Sequence, residues 1–100
     1  MADSTFTLFR GAAATSNTTL YTSPANMAVA VTNIAIVNDS ASAITATINL
    51  ATLPLVGGIS VGANSTQFID LDQIIYNGET ITGSASTTTV DFHIAGYEVY

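Results

Sequence analysis

The chain has 100 residues and a mass of 10.3 kDa, which suits one small domain, because chains divide into several domains only well above this length. Its single arginine, lack of lysine and net charge of −6 argue against nucleic acid and anionic membrane as partners, since both require clustered cations. The absence of cysteine excludes disulfides, thiolate metal sites and cysteine nucleophiles. We also expect no transmembrane span and no secretion signal, because the apolar runs are short and the amino terminus lacks a basic and an apolar region.

The first part of the chain predicts an extended arm. From Thr5 to Phe9, apolar and polar residues alternate as in a short strand that ends at Arg10. The following stretch, up to residue 17, is rich in Ala, Ser, Thr and Asn and contains nothing large enough to build a core. We therefore divide the chain into an N-terminal arm, residues 1–17, and a β-sandwich domain, residues 18–100.

The segment Met27–Asn38 has the strongest strand pattern in the sequence. Its apolar residues alternate up to Val31, and after Thr32-Asn33 the alternation resumes one residue out of phase at Ile34. This shift predicts a β-bulge, or a segment that is buried on both faces. Apolar residues on both faces of this segment also exceed what one small core can absorb, so we expect the surplus to be buried between subunits.

The middle of the chain combines strand and turn signals. Pro54 places the apolar segment Leu53–Val56 at a sheet edge or in a loop, because proline cannot donate a ladder hydrogen bond. Gly57-Gly58 predicts a turn. In the next strand, Thr66–Leu71, Phe68 lies out of phase with the other apolar residues and is expected on the opposite face.

The last third of the chain predicts a tight turn followed by two more strands. Asn77-Gly78 is a strong turn signal, and Gly96 is expected to bulge or bend the final strand. About eight short strands at roughly ten-residue spacing predict an all-β fold, an antiparallel β-sandwich of the jelly-roll or Greek-key type.

Five motifs occur in one consistent order along the chain. They are Tyr21–Ala25, Ile34–Asn38, Ile59–Ser65, Asn77–Ile81 and Ile94–Val99. With these motifs, residues 18–100 resemble the small β-sandwich modules of tailed-bacteriophage virions, above all capsid decoration (cement) proteins.

The resemblance implies a non-catalytic structural protein of the virion. Such a protein binds the major capsid protein on the outer capsid surface, bridges neighbouring subunits, and is assembled with the shell in the host cytoplasm. It commonly forms a symmetric homo-oligomer, and a trimer is the state we favour. The same sandwich is also used in a receptor- or glycan-binding module of a tail fibre or spike, and in neck or tail structural proteins, which are the alternatives.

Candidate chemistry in the sequence is sparse. His93 is the only histidine; Asp91 shares its strand face, but no nucleophile completes a triad, so we expect an outward-facing strand residue and no enzyme. Asp70 and Asp72 share a face as two calcium ligands would, yet calcium requires more oxygens, and two solvated charges that oppose edge pairing are the simpler interpretation. The two Gly-containing turns lack the lysine and helix of a phosphate loop. The sequence thus predicts no catalytic, cofactor or metal site.

Partner binding is the remaining function that the sequence favours. The four tyrosines, Tyr21, Tyr76, Tyr97 and Tyr100, are suited either to stacking on sugars or to packing under loops and in subunit interfaces. Within the arm we expect Phe6, Leu8, Phe9 and Arg10 to bind a partner, by adding a strand to a neighbouring edge and pairing the lone guanidinium with a carboxylate.

Overall fold

The structure, a computed structural model, describes residues 5–99 and the side chains of residues 7–98. Eight strands and no helix make up this part of the chain, which confirms the all-β prediction. The strands are β1 (Thr5–Ala12), β2 (Thr18–Thr22), β3 (Ala28–Asn38), β4 (Ile44–Leu50), β5 (Leu53–Val61), β6 (Ser65–Tyr76), β7 (Thr80–Ala85) and β8 (Val90–Val99). Within the described residues, no helix is long and apolar enough to cross a membrane.

The strands form two antiparallel sheets of four. Sheet A has the order β1-β8-β3-β6, and sheet B has the order β2-β7-β4-β5. The pairs β1–β8, β2–β7, β3–β6 and β4–β5 are nested, as in one long hairpin that is folded over itself. This is the arrangement of a jelly roll, so the predicted β-sandwich is confirmed with the jelly-roll topology.

The core lies between the sheets and is filled by alternate residues of the central strands. Val31, Ile34, Phe92 and Ile94 are at most 1% exposed. The register of β3 shifts between Val31 and Asn33, so Thr32 is the extra residue of a bulge against β8. The phase change in the sequence therefore marks a true β-bulge.

A close backbone approach occurs beside this bulge. Gly96 of β8 is buried, and a Cβ atom at this position would collide with the carbonyl oxygen of Ala30 on β3. No other residue type fits there without a backbone shift. Gly96 thus lies beside the bulged part of β3, and the extra residue of that bulge, Thr32, belongs to β3 and not to β8.

The N-terminal segment differs from the predicted arm. Residues Thr5–Ala12 form β1, which pairs with β8 along its length as an edge strand of the sandwich's own sheet. Further hydrogen bonds extend the attachment beyond β1, from the Ala13 amide to Val90 and from the Ala85 amide to Ala14. No boundary between an arm and a domain is therefore visible at residue 17.

The Gly57-Gly58 pair is the second difference. It lies inside β5, where Gly58 has a φ of 76° and the register against β4 shifts at this point. The pair therefore forms a bulge in an edge strand, and the turn predicted there is wrong. The prediction for Pro54 is confirmed, because β5 is an edge strand of sheet B.

The motifs that carried the resemblance meet at the ends of the sandwich. Asn77 and Gly78 have φ values of 50° and 87°, as in a type I′ turn. Asn77 Oδ1 accepts a hydrogen bond of 2.9 Å from the Asn26 amide, and the Gly78 amide donates to the carbonyl of Ser23 at 2.9 Å. The turn after β2 and the turn after β6 thus hold each other in place.

At the other end, Asn38 connects two loops. It is 1% exposed, and its Nδ2 lies 2.8, 3.1 and 2.9 Å from the carbonyl oxygens of Ser42, Val61 and Gly62. Its Oδ1 accepts from the amide and the hydroxyl of Ser40 at 3.1 and 2.8 Å. One buried amide therefore joins the β3–β4 loop to the β5–β6 loop.

Candidate functional site

The outer face of sheet A is unusually apolar along its central strand. The outward-facing residues of β3 include Ala30 and Ala35, which are only 1% and 7% exposed. The cross-strand neighbours of Ala30 are Ile74 on β6 and Tyr97 on β8. The small alanines on β3 are therefore almost completely covered by their neighbours, although they lie on the outer face of the sheet.

Exposed apolar side chains concentrate on β6 and on the start of β5, the two edge strands on one side of the sandwich. We call this set the apolar edge. It consists of Leu53 (70% exposed), Leu55 (36%), Phe68 (65%), Ile74 (57%) and Tyr76 (49%). The high exposure of Phe68 confirms that it faces away from the core, whereas Ile69 and Leu71 pack against the core.

A cavity of about 240 Å³ lies within the apolar edge. Leu53, Leu55 and Ile74 line it together with Leu50 and Ile75. This open cavity is therefore bordered by side chains from both sheets. Only Glu79 brings a formal charge to its wall.

Two carboxylates interrupt the apolar edge. Asp70 and Asp72 are exposed on β6 and alternate with inward-facing Leu71, so they lie on the outer face of sheet A. Asp70 Oδ1 accepts a hydrogen bond of 3.1 Å from Asn33 Nδ2. Among residues 5–99, no three His, Cys, Asp or Glu side chains are grouped closely enough to hold a metal ion. The structure thus places both aspartates on an edge strand, as the interpretation of charges that oppose edge pairing requires.

Arg10 lies at the opposite edge of the same face. It is exposed on β1, where its Nη2 donates to Thr7 Oγ1 at a long 3.4 Å. Its cross-strand neighbour on β8 is His93. His93 is half-buried between the inward-facing Phe92 and Ile94, so it faces outward as predicted.

The other predicted arm residues have different surroundings. Leu8 is 7% exposed and belongs to the core, and Phe9 is half-buried against the core. Leu8 is therefore inaccessible in this structure, whereas part of Phe9 remains exposed. The backbone of Phe6 lies in β1, but its side chain is outside the described part.

The tyrosines do not form one platform. Tyr76 and Tyr97 belong to the outer face of sheet A, in neighbouring cross-strand rows. Tyr21 lies on β2 of sheet B, and burial together with the charge of Glu98 raises the pKa of its phenol. Tyr100 lies outside the described residues. Of the three described tyrosines, Tyr76 and Tyr97 therefore share a surface and Tyr21 does not.

Sequence reasoning missed most of the apolar edge. Phe68 was recognised from its phase, but Leu53, Leu55 and Ile74 were not singled out as exposed. Two signals could have identified these residues. Pro54 marks the segment around Leu53 and Leu55 as an edge, and Ile74 and Ile75 are adjacent in one strand, so one of the two must face outward.

Comparison with known proteins gives information on the fold. No family model matches the sequence, and no curated protein matches it. Among solved structures, the chain is similar to one described in "Crystal structure of the T13 IBDV viral particle reveals a missing link in icosahedral viruses evolution". The two superpose with a TM-score of 0.61 at 6% sequence identity, over 99% of this chain and 31% of the viral chain.

The chain has a viral-capsid-like β fold. It spans less than a third of the length of the viral chain, so the likeness concerns one sandwich of a larger protein. At 6% sequence identity, the likeness shows the fold.

Proposed function

We propose that this chain is a non-catalytic structural protein of a virion, a capsid decoration protein that binds the outer surface of the shell. The observation that carries the proposal is the combination of a viral-capsid-like sandwich with the apolar edge. The sequence resemblance to tailed-phage cement proteins supports the same function.

The apolar edge supplies the binding energy for attachment. Fully burying a side chain such as Leu, Ile or Phe contributes about 1.5–3 kcal/mol, so covering the exposed half of one contributes about 1 kcal/mol. The five side chains of the apolar edge together offer about 5 kcal/mol. That is enough for repeated weak attachment on a lattice that presents many identical sites.

The charge of the chain suits the exterior of a capsid. With a net charge of −6, the protein is repelled by packaged nucleic acid rather than attracted to it. For this reason we propose that the chain binds the major capsid protein from the outer side of the shell. We propose a binding function only and no catalytic reaction for this chain.

Stabilisation of the shell follows from mass action. A protein that binds two neighbouring capsid subunits only in their assembled arrangement favours that arrangement over the separated one. The bridge adds buried area across a joint that internal pressure tends to open. Decoration therefore raises the temperature at which the shell opens.

The test is immunogold labelling of virions with antibodies raised against the purified chain. Regular label over the head supports a decoration protein, and shells stripped of the chain should then open at a lower temperature. Label restricted to tails or fibres, or the absence of label from purified virions, would refute it.

A glycan- or receptor-binding module is the second candidate. Tyr76 and Tyr97 favour it, because they belong to one face in adjacent rows and aromatic rings stack on sugars. Label at fibre tips, with loss of host-cell binding in Tyr76→Ala, would support this candidate instead.

A further inference from the structure

Sheet A ends in two edge strands that are suited to each other. β1 has 8 residues and β6 has 12, and neither contains proline or lysine. The charges that oppose edge pairing are Asp70 and Asp72 on β6 and Arg10 on β1, and they oppose the pairing of like edges only. The outer edge of each carries backbone groups that no strand of sheet A pairs with. Such edges accept a further strand from another chain.

The strand directions allow the sheet to continue from one copy to the next. Every neighbouring pair in the order β1-β8-β3-β6 is antiparallel, so β1 and β6 run in opposite directions. A second copy placed beside the first in the same orientation therefore brings its β1 antiparallel to β6. The contact is of the head-to-tail type, which produces rings when it closes.

The charges select this pairing over the alternatives. Arg10 belongs to the outer face at the β1 edge, and Asp70 and Asp72 belong to the same face at the β6 edge. A β6–β6 contact would bring four carboxylates together, and a β1–β1 contact would bring two guanidinium groups together. Only the β1–β6 contact places opposite charges side by side, so repulsion rejects the wrong partners.

The register brings these groups within reach. Cross-strand partners place Arg10, His93, Ala35 and Phe68 in one row across the sheet. Asp70 lies two residues from this row, about 7 Å along a strand. A small stagger between copies, or the length of the arginine side chain, spans this distance. To reach the neighbour, Arg10 would lose only its 3.4 Å hydrogen bond to Thr7 Oγ1.

We infer that copies of this chain associate side by side in solution, β1 of one copy against β6 of the next, with Arg10 against Asp70 and Asp72 of its neighbour. The neighbour's β1 then covers Ile74 and Tyr76, and Leu53 and Leu55 of the apolar edge remain for attachment to a shell. The inference deepens the proposed function. The association of copies stands on the structure, and only the location of the assembly on a capsid rests on the proposed function.

Two charge-reversed variants test the inference by sedimentation velocity at low ionic strength. One is Arg10→Asp, and the other combines Asp70→Arg with Asp72→Arg. We expect the wild-type chain to sediment at a multiple of 10.3 kDa, and each variant alone to associate at least tenfold more weakly. An equimolar mixture of the two variants should associate again, because each then offers the charge that the other lacks.

The control is Asp39→Arg, which makes the same type of charge change at an exposed loop position outside both edges. It should associate like the wild type. A wild-type chain that stays at 10.3 kDa up to millimolar concentration, variants that associate normally, or a mixture that stays monomeric would each overturn the inference. These results are independent of virion labelling, so failure of the edge pairing and failure of the proposed function are distinguishable.

Discussion

Replacement of Asn38 is expected to be among the most damaging single substitutions in this fold. The side chain makes five contacts between 2.8 and 3.1 Å and is 1% exposed. Asn38→Ala removes the donor for three carbonyl oxygens and the acceptor for Ser40. With about 1 kcal/mol for each lost hydrogen bond, and more for a carbonyl left without water, the free energy of unfolding falls by about 3–5 kcal/mol.

Asn38→Asp is the sharper variant because it preserves the shape of the side chain. The new carboxylate would face the carbonyl oxygens of Ser42, Val61 and Gly62 instead of donating to them. The pKa of the new carboxyl group is therefore raised above the ordinary value of about 3.9. The variant is least destabilised below about pH 3.9, where the protonated acid can donate one hydrogen bond. Stability is then lost as the pH rises through the pKa in the folded state.

Urea unfolding at pH 4 and pH 7 measures both effects. Asn17→Asp is the matched control, since Asn17 is exposed and its Oδ1 already acts as an acceptor, from Asn49 Nδ2 at 3.2 Å. We expect Asn38→Asp to lose at least as much stability as Asn38→Ala at pH 7 and to recover part of it at pH 4, relative to the control. A loss below 1 kcal/mol at pH 7, or a loss that does not depend on pH, would contradict the role assigned to Asn38.

Three further outcomes are expected. Gly96→Ala should lower the free energy of unfolding, measured in urea, by more than about 2 kcal/mol, because the added methyl group collides with the Ala30 carbonyl oxygen. Gly57→Ala, which adds a methyl group in open space, should change it by less than about 1 kcal/mol. Equal effects of the two substitutions would contradict the close approach at Gly96. Deletion of residues 1–10 should lower the melting temperature, since it removes most of β1; an unchanged melting curve would indicate a passive arm. His93→Ala should leave folding and association unchanged, and loss of association with an intact fold would show that His93 belongs to a binding surface.

The features that could be predicted from the sequence are those that depend on the residues of a single strand. Alternation placed Ile34 in a strand pattern, and Ile34 is buried. The break in alternation at Thr32 predicted a bulge or a segment buried on both faces, and the register of β3 shows the bulge. Both signals arise because side chains of a strand alternate between two faces, one of which must be buried. No knowledge of the partner strands was needed for them.

Other features depend on which strands become neighbours. Gly57-Gly58 is compatible with a turn and with a bulge, and only pairing with β4 on both sides of the pair decides between them. The exposure of Ile74 likewise depends on β6 being an edge strand. Pro54 indicated the edge position of β5, but the edge position of β6 follows from the nested pairing of strands far apart in sequence, which the local pattern of β6 does not contain.

The partner of the N-terminal strand likewise could not be predicted from its own sequence, and this affects the functional interpretation. A strand with alternating apolar residues pairs equally well with an edge of its own chain or with an edge of a neighbour, because the backbone ladder and the pockets are the same in both cases. Pairing with β8 uses one edge of β1 and buries Leu8. It leaves the other edge of β1 at the border of sheet A, with Arg10 beside it. The sequence predicts that this segment binds a partner through Phe6, Leu8, Phe9 and Arg10. In the structure Leu8 belongs to the core and Phe9 packs against it. The inferred association of copies therefore rests on the outer backbone edge of β1 and on Arg10.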